Sequence, residues 1–239
     1  LPSSSAASDV YTRQPFYNEE RYLTKSLENL LKIKIIDEII LVDNGSTDTS
    51  YKIANSFNKQ YEHILLLSSD EEMGKGFAVQ KGIAFATSSH MVVHDADLEY
   101  FPTDIIKLFD TALKYPNDII LGSRIKGSIK RKNLYVTTYV GNRILSFYFS
   151  ILNGCKVSDI STCYQLYSLE NIRKLQLSEK GFAMEVEVLS KLLKNKVKIH
   201  ELPLRYEGRS YADGKKIRIK DAINIAIKIL KFSRFNLFS

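Results

Sequence analysis

Asp95, Asp97 and Glu99 stand at alternate positions directly after the apolar-leaning run Met91-Val-Val-His94. In extended chain, residues two apart point to one side, so this spacing predicts three carboxylates on a common face. Such crowding is unfavourable without a cation, and hard oxygen donors suit Mg²⁺ or Mn²⁺. Magnesium is commonly held by one or two carboxylates plus substrate phosphates, so the pattern points to a nucleotide diphosphate. A D-x-D pair alone is weak evidence, because acidic residues often close a strand; its place behind Met91–His94 strengthens the metal reading.

Asp43-Asn-Gly-Ser-Thr-Asp48 also follows a strand-like run, Glu38-Ile-Ile-Leu-Val-Asp43, and turns on Gly45. Asp43 could accept hydrogen bonds from a base or a ribose. Thr47 or Asp48 could cap the next helix, and for Asp48 the cap is the favoured reading. Gly74-Lys75-Gly76 suits a tight entrance to a helix. It lacks the third glycine of G-x-G-x-x-G, and no G-x-x-x-x-G-K-[ST] occurs, so hydride-transfer and P-loop readings fall.

These residues need a frame, and the hydrophobic pattern supplies one. Strands are predicted near 10–15, 38–43, 63–67, 91–95 and 118–122, separated by helices near 19–32, 49–58, 75–87 and 102–114. Continuous Ile/Val/Leu strands between helices predict a mostly parallel sheet covered on both faces. Ligands of such sheets sit at the carboxyl ends of the strands. That rule gathers Tyr17-Asn18-Glu19, Asp43, Asp95-Ala96-Asp97 and Gly122-Ser123-Arg124 into one neighbourhood. The second half reads differently: a helix over Leu134–Leu152 with aromatics Tyr135, Tyr139, Phe147, Tyr148 and Phe149, then a strand Cys163–Tyr167. A helix Met184–Lys194, a strand Lys198–Leu204, a basic Gly-containing loop Gly208–Lys216 and a closing helix Ile219–Lys231 complete it. Residues 1–8 read as an added or frayed end, and 9–239 as a single domain.

The ordered set resembles the family 2 glycosyltransferases of the GT-A fold, in particular the polyprenyl-phosphate branch typified by dolichyl-phosphate mannose synthase. The matching residues are Pro15-Phe-Tyr-Asn-Glu-Glu20, Val42–Asp48, Gly74-Lys-Gly76, Asp95-Ala-Asp-Leu-Glu99 with Pro102, and Gly122-Ser-Arg124. They continue with Gly141-Asn-Arg143, Ser158–Tyr164 and Arg209-x5-Lys215. The resemblance implies a Rossmann-like, mostly parallel sheet with a helical, basic acceptor-side region behind it. It implies that Pro15, Tyr17, Glu19 and Asp43 line the nucleoside pocket and that Asp95, Ala96 and Asp97 meet the donor. Asp95, Asp97 and Glu99 would hold the Mg²⁺ or Mn²⁺, and Arg124, Arg209 and Lys215 would bind phosphates. Asp159 falls in the acceptor-side segment and, with Asp95 and Asp97, completes the catalytic set; Asp159 or Glu185 would be the base for a hydroxyl acceptor. Two positions depart from the family pattern: the polar first strand Val10-Tyr-Thr-Arg-Gln14, and Gln165 where many relatives carry Arg or Lys.

Charge fits this division. Residues 1–120 hold 11 Lys/Arg against 18 Asp/Glu, whereas 121–239 hold 23 against 9. A basic half of this kind meets something anionic. On the closing helix, Ile223, Ile227, Leu230 and Phe235 share a side, with Lys220, Lys228, Lys231 and Arg234 available to snorkel. The reading is therefore a metal-dependent, inverting transfer of a hexose from a UDP-, GDP- or dTDP-sugar to a polyprenyl phosphate. The enzyme would be cytoplasmic and peripheral on an anionic membrane surface, with no nucleic-acid partner. Alternatives are a saccharide acceptor, or a non-catalytic basic module that binds nucleic acid. No uncharged apolar run reaches the roughly 18 residues of a membrane span, and two cysteines at Cys155 and Cys163 exclude a disulfide scaffold.

Overall fold

The computed structural model describes residues 10–126, 131–132, 136–209 and 219–234. Its first half alternates strand and helix as the pattern predicts: β1 (Val10–Phe16), α1 (Leu23–Leu30), β2 (Ile36–Asn44), α2 (Ser50–Gln60), β3 (Ile64–Ser69), α3 (Lys75–Phe85), β4 (His90–Val93), α4 (Asp104–Lys114) and β5 (Ile119–Ser123). The second half contains β6 (Arg131–Lys132), α5 (Val136–Asn153), β7 (Gln165–Ser168), α6 (Leu169–Arg173), α7 (Met184–Lys194), β8 (Ile199–Pro203), β9 (Tyr206–Glu207) and α8 (Ile219–Phe232).

Seven strands form one sheet in the order β3-β2-β1-β4-β7-β5-β8, and β6 pairs with β9 beside it. All neighbours in the large sheet run parallel except β7, which is antiparallel to both β4 and β5. The strand order reverses between β1 and β4, so the loops after β1, β2 and β4 open into a common crevice. The mostly parallel α/β architecture is the expected one.

Several boundaries moved for identifiable reasons. α1 begins at Leu23 rather than 19, because Asn18 takes a left-handed φ of 51° and Glu19 turns the chain first. β4 ends at Val93, and Asp95–Glu99 is a turn with Leu98 at φ 61°. The expectation of extended chain with three aligned carboxylates is therefore corrected. β6, β9 and α6 are too short for periodicity to reveal.

The polar first strand is an interior strand of the sheet, between β2 and β4. Tyr11, Thr12 and Gln14 are fully buried. Gln14 Nε2 donates to Ser26 Oγ at 2.6 Å, and Tyr11 Oη donates to Met91 Sδ at 3.4 Å. Thr12 Oγ1 and Gln14 Oε1 have no hydrogen-bond partner among the described residues, an arrangement that costs about 1–3 kcal/mol per group. Ile39–Val42 and Val92 on the flanking strands β2 and β4, and Ile119–Leu121 and Leu166 farther along the sheet, are buried.

Candidate active site

The loops after β1 and β2 are stitched together by side chains. Asn18 Oδ1 accepts the Thr47 N–H at 2.9 Å, and Ser46 Oγ accepts the Asn18 N–H at 3.1 Å. Glu19 N–H donates to Ser50 Oγ at 2.8 Å, and Glu20 Oε2 accepts Thr49 N–H and Oγ1–H. Asp48 accepts the Ser50 N–H at 2.9 Å, but the N-cap of α2 is Thr49 rather than the expected Asp48. Asp43 ends up 4% exposed, accepting the Ser46 N–H at 3.2 Å. Pro15 is half-buried and Tyr17 lies beside it at the end of β1.

Behind β4 the acidic turn is divided between two cations. Lys75, at the first position of α3, places Nζ 3.1 Å from Asp95 Oδ2 and 3.0 Å from Glu185 Oε1. Burial alone would raise the Asp95 pKa; the Lys75 charge and hydrogen bond override it and hold the carboxyl below its ordinary value. Burial, aided by the Asp95 charge, moves Glu185 the other way. Arg209, just past β9, reaches Glu19 Oε2 at 3.2 Å and Asp97 Oδ2 at 3.4 Å. Its backbone N–H donates to Glu99 Oε1 at 2.7 Å. Burial, then the charges of Asp95 and Glu99, push Asp97 up to about 7 despite Arg209. Ala96, between the two aspartates, is buried.

Glu99 departs from its expected role. It accepts Tyr206 Oη–H at 2.5 Å and the Arg209 N–H, which turns it toward β9. Among the described residues no three of His, Cys, Asp and Glu are arranged to hold a metal ion. With Glu99 engaged by Tyr206 and the Arg209 N–H, Asp95 and Asp97 are the pair left as candidate ligands. Those two still fit a hard divalent cation: the repulsion that raises Asp97 is what such an ion relieves, with substrate phosphate oxygens completing the shell.

Asp159 is fully buried and saturated. Arg124 donates to it from N and Nε at 2.8 Å and from Nη2 at 2.7 Å, and Asn142 Nδ2 donates at 2.8 Å. Burial would raise its pKa; the Arg124 charge and these bonds hold it low instead. A carboxylate engaged in this way is held as the counter-ion of Arg124. Arg124 in turn lies over the Tyr206 ring at 5.2 Å. Lys215 lies outside the described residues.

Sequence reasoning missed Lys75 as a carboxylate partner, although its place between two glycines was a signal. A Cβ on Gly74 would sit 2.5 Å from the Lys180 carbonyl oxygen, and one on Gly76 2.5 Å from that of Glu179. Only glycine lets α3 begin so close to this loop. It also missed the chain beneath the site, where Ser26 Oγ lies 3.1 Å from His94 Nε2 and Tyr164 Oη 2.8 Å from Nδ1. Burial lowers the His94 pKa to about 4, so the ring is neutral.

Fold and site together define a GT-A glycosyltransferase that uses a nucleotide sugar. Residues 15–176 match the model of glycosyl transferase family 2, and the chain belongs to that family. It is 30% identical over 244 residues to the UDP-N-acetylglucosamine–dolichyl-phosphate N-acetylglucosaminyltransferase of Methanococcus voltae, covering 94% of this chain and 97% of that one. It is 27% identical to a dolichyl-phosphate beta-glucosyltransferase of Trichomonas vaginalis, covering 93% and 72%. The fold is similar to that of glucosyl-3-phosphoglycerate synthase from Mycobacterium tuberculosis in complex with UDP, with a TM-score of 0.73 at 18% identity, covering 95% of this chain and 80% of that one. A complex of the same synthase with Mn²⁺, UDP and glucosyl-3-phosphoglycerate gives 0.72 at 16% identity, covering 95% and 81%. The expected family, fold and enzyme class are borne out, and the alternative of a non-catalytic module falls.

Proposed function

We propose that the enzyme transfers a hexose from a nucleotide diphosphate sugar, with a divalent cation, to a polyprenyl phosphate presented at a membrane surface. The observation that carries this reading is a pair of exposed apolar stripes. Val136, Val140, Ile144, Phe147 and Ile151 follow one another at three- and four-residue steps along α5 and are 46–75% exposed. On α8, which packs against α5, Ile223 and Ile227 are each 59% exposed. Contiguous apolar surface of this kind marks an interaction site. Arg143, Lys220 and Lys231 lie exposed on the same two helices and Arg234 just past α8, and each basic residue near anionic lipid contributes about 1 kcal/mol. Among the described residues no helix is long and apolar enough to cross a membrane, so these stripes would lie in the interface. The inner face of α5 carries Asn142, which holds Asp159; the docking helix is thus part of the site. The named functions of the M. voltae and T. vaginalis relatives, both acting on dolichyl phosphate, support the same acceptor class.

In this reading Tyr17, Glu19 and Asp43 hold the nucleoside, Asp95 and Asp97 hold the cation, and Arg124 and Arg209 bind phosphates. The cation supplies charge neutralisation at the diphosphate. The sugar–diphosphate C–O bond breaks as the acceptor phosphate oxygen bonds the anomeric carbon from the opposite side, and the electron pair leaves with the nucleotide diphosphate. A phosphate acceptor is already an anion, so the reaction needs no strong base. That agrees with Asp159 and Glu185 both being tied to cations. UDP-sugars are the first donors to test, given the UDP named for the M. voltae relative and for the M. tuberculosis complexes. Flotation with anionic vesicles at low and high salt tests the membrane surface. Salt-sensitive flotation supports it, and failure to float at low salt would favour a soluble saccharide acceptor.

A further inference from the structure

Glu179 lies at the meeting point of three helices. Its Oε1 accepts Lys228 Nζ of α8 at 2.6 Å, with Lys231 Nζ at 3.7 Å, and the side chain is 12% exposed. Its backbone N–H donates to Glu187 of α7 at 2.8 Å, and its carbonyl accepts Gln80 Nε2 of α3 at 2.9 Å. One residue on, the Lys180 carbonyl accepts the Phe77 N–H at 3.0 Å. The segment therefore presses on the Gly74-Lys75-Gly76 turn, where the two glycines leave no slack. That turn delivers Lys75 to Asp95 and Glu185.

The cations of α8, and Arg234 just past it, divide their work. Lys228 is 23% exposed and turned inward to Glu179, while Lys231 is 55% exposed and Lys220 and Arg234 face solvent. Anionic lipid can thus engage the outer cations without drawing Lys228 off Glu179. Resting on the membrane reading above, we propose that Glu179 is a positioning residue that couples α8 to the donor site, so that seating α8 on anionic lipid tightens donor binding. Docking fixes α8, α8 fixes the Glu179 segment through Lys228, and the segment fixes the turn that holds Lys75 against Asp95. A site ordered beforehand binds its ligand at lower cost.

The test measures the dissociation constant of UDP with Mn²⁺, with and without phosphatidylcholine–phosphatidylglycerol vesicles, with flotation and thermal melting run in parallel. Anionic vesicles lower the wild-type constant about fivefold or more, the lower end of ordinary coupling between sites. Glu179→Gln floats and melts as wild type and keeps the vesicle-free constant, but loses the vesicle effect. Lys228→Met cuts the same link from the other side and gives the same loss if Glu179→Gln does not fold. Exchanging the charges, Glu179→Lys with Lys228→Glu, restores the effect, which a merely structural role would not produce. A wild-type enzyme that floats with an unchanged constant, or a Glu179→Gln variant that responds fully, overturns the coupling and leaves the membrane reading standing. A wild-type enzyme that does not float overturns both.

Discussion

Asn142 Nδ2 donates to Asp159 Oδ1 at 2.8 Å, so the helix that carries the exposed apolar stripe also holds the carboxylate that aligns Arg124. The outer face of α5 carries the exposed residues Val136, Val140, Ile144, Phe147 and Ile151, and its inner face carries Asn142, bonded to the Arg124–Asp159 pair.

Asp159→Asn therefore acts first on stability. Removing one partner of a buried ion pair costs about 3–5 kcal/mol, and Asp159 is fully buried against Arg124. Urea unfolding should show a loss of that order alongside reduced turnover. Unchanged stability with abolished turnover would instead mark Asp159 as a base.

Asp97→Asn shows the opposite profile. Asp97 is crowded by Asp95 and Glu99, so neutralising it relieves repulsion and leaves the fold intact. Turnover should fall by about 100-fold or more, the usual effect of losing one preorganised electrostatic group. Melting temperature and initial rate, measured on the same preparation, check both halves.

His90 provides a pH prediction away from the reaction centre. Burial lowers its pKa below 6.5 although the Pro116 carbonyl opposes this. The unfolded chain then binds the proton more readily than the folded one, so the neutral ring stabilises the fold above pH 6.5. That stability is lost as pH falls through 6.5 toward the folded value. His90→Gln should lose less melting temperature than wild type between pH 7.5 and 5; an identical loss would contradict the assignment.

The apolar stripe separates docking from folding. Ile144 and Phe147 are 62% and 67% exposed, and exposed substitutions usually change stability by less than about 0.5 kcal/mol. Ile144→Glu with Phe147→Glu should melt as wild type, stay with the soluble fraction in vesicle flotation, and lose activity on lipid-bound acceptor only.

Much of this was legible in the sequence. The strand–helix alternation from β1 to β5 and the crevice loops follow from period and strand-end position, because buried parallel strands read as apolar runs. Glu99 was misplaced because alternation assumes extended chain, and a left-handed Leu98 bends the turn. The Asp159–Arg124 pair spans 35 residues of sequence, and no local pattern encodes a contact of that kind. Of the aromatics read on the Leu134–Leu152 helix, Phe147 is exposed and Phe149 fully buried, a division that the list of aromatics alone does not give. Tyr135, named among the aromatics of the first helix, and Phe235, placed on the closing helix, lie outside the described residues.

The central claim is metal-dependent sugar transfer to a lipid phosphate, and one assay addresses it. Purified enzyme is incubated with radiolabelled UDP-sugars and polyprenyl phosphate in anionic vesicles, with Mn²⁺ or with EDTA, and label is counted after organic extraction. Label entering the organic phase only when both Mn²⁺ and polyprenyl phosphate are present is the predicted result. Equal labelling in EDTA, or label transferred only to a water-soluble acceptor, would contradict the account.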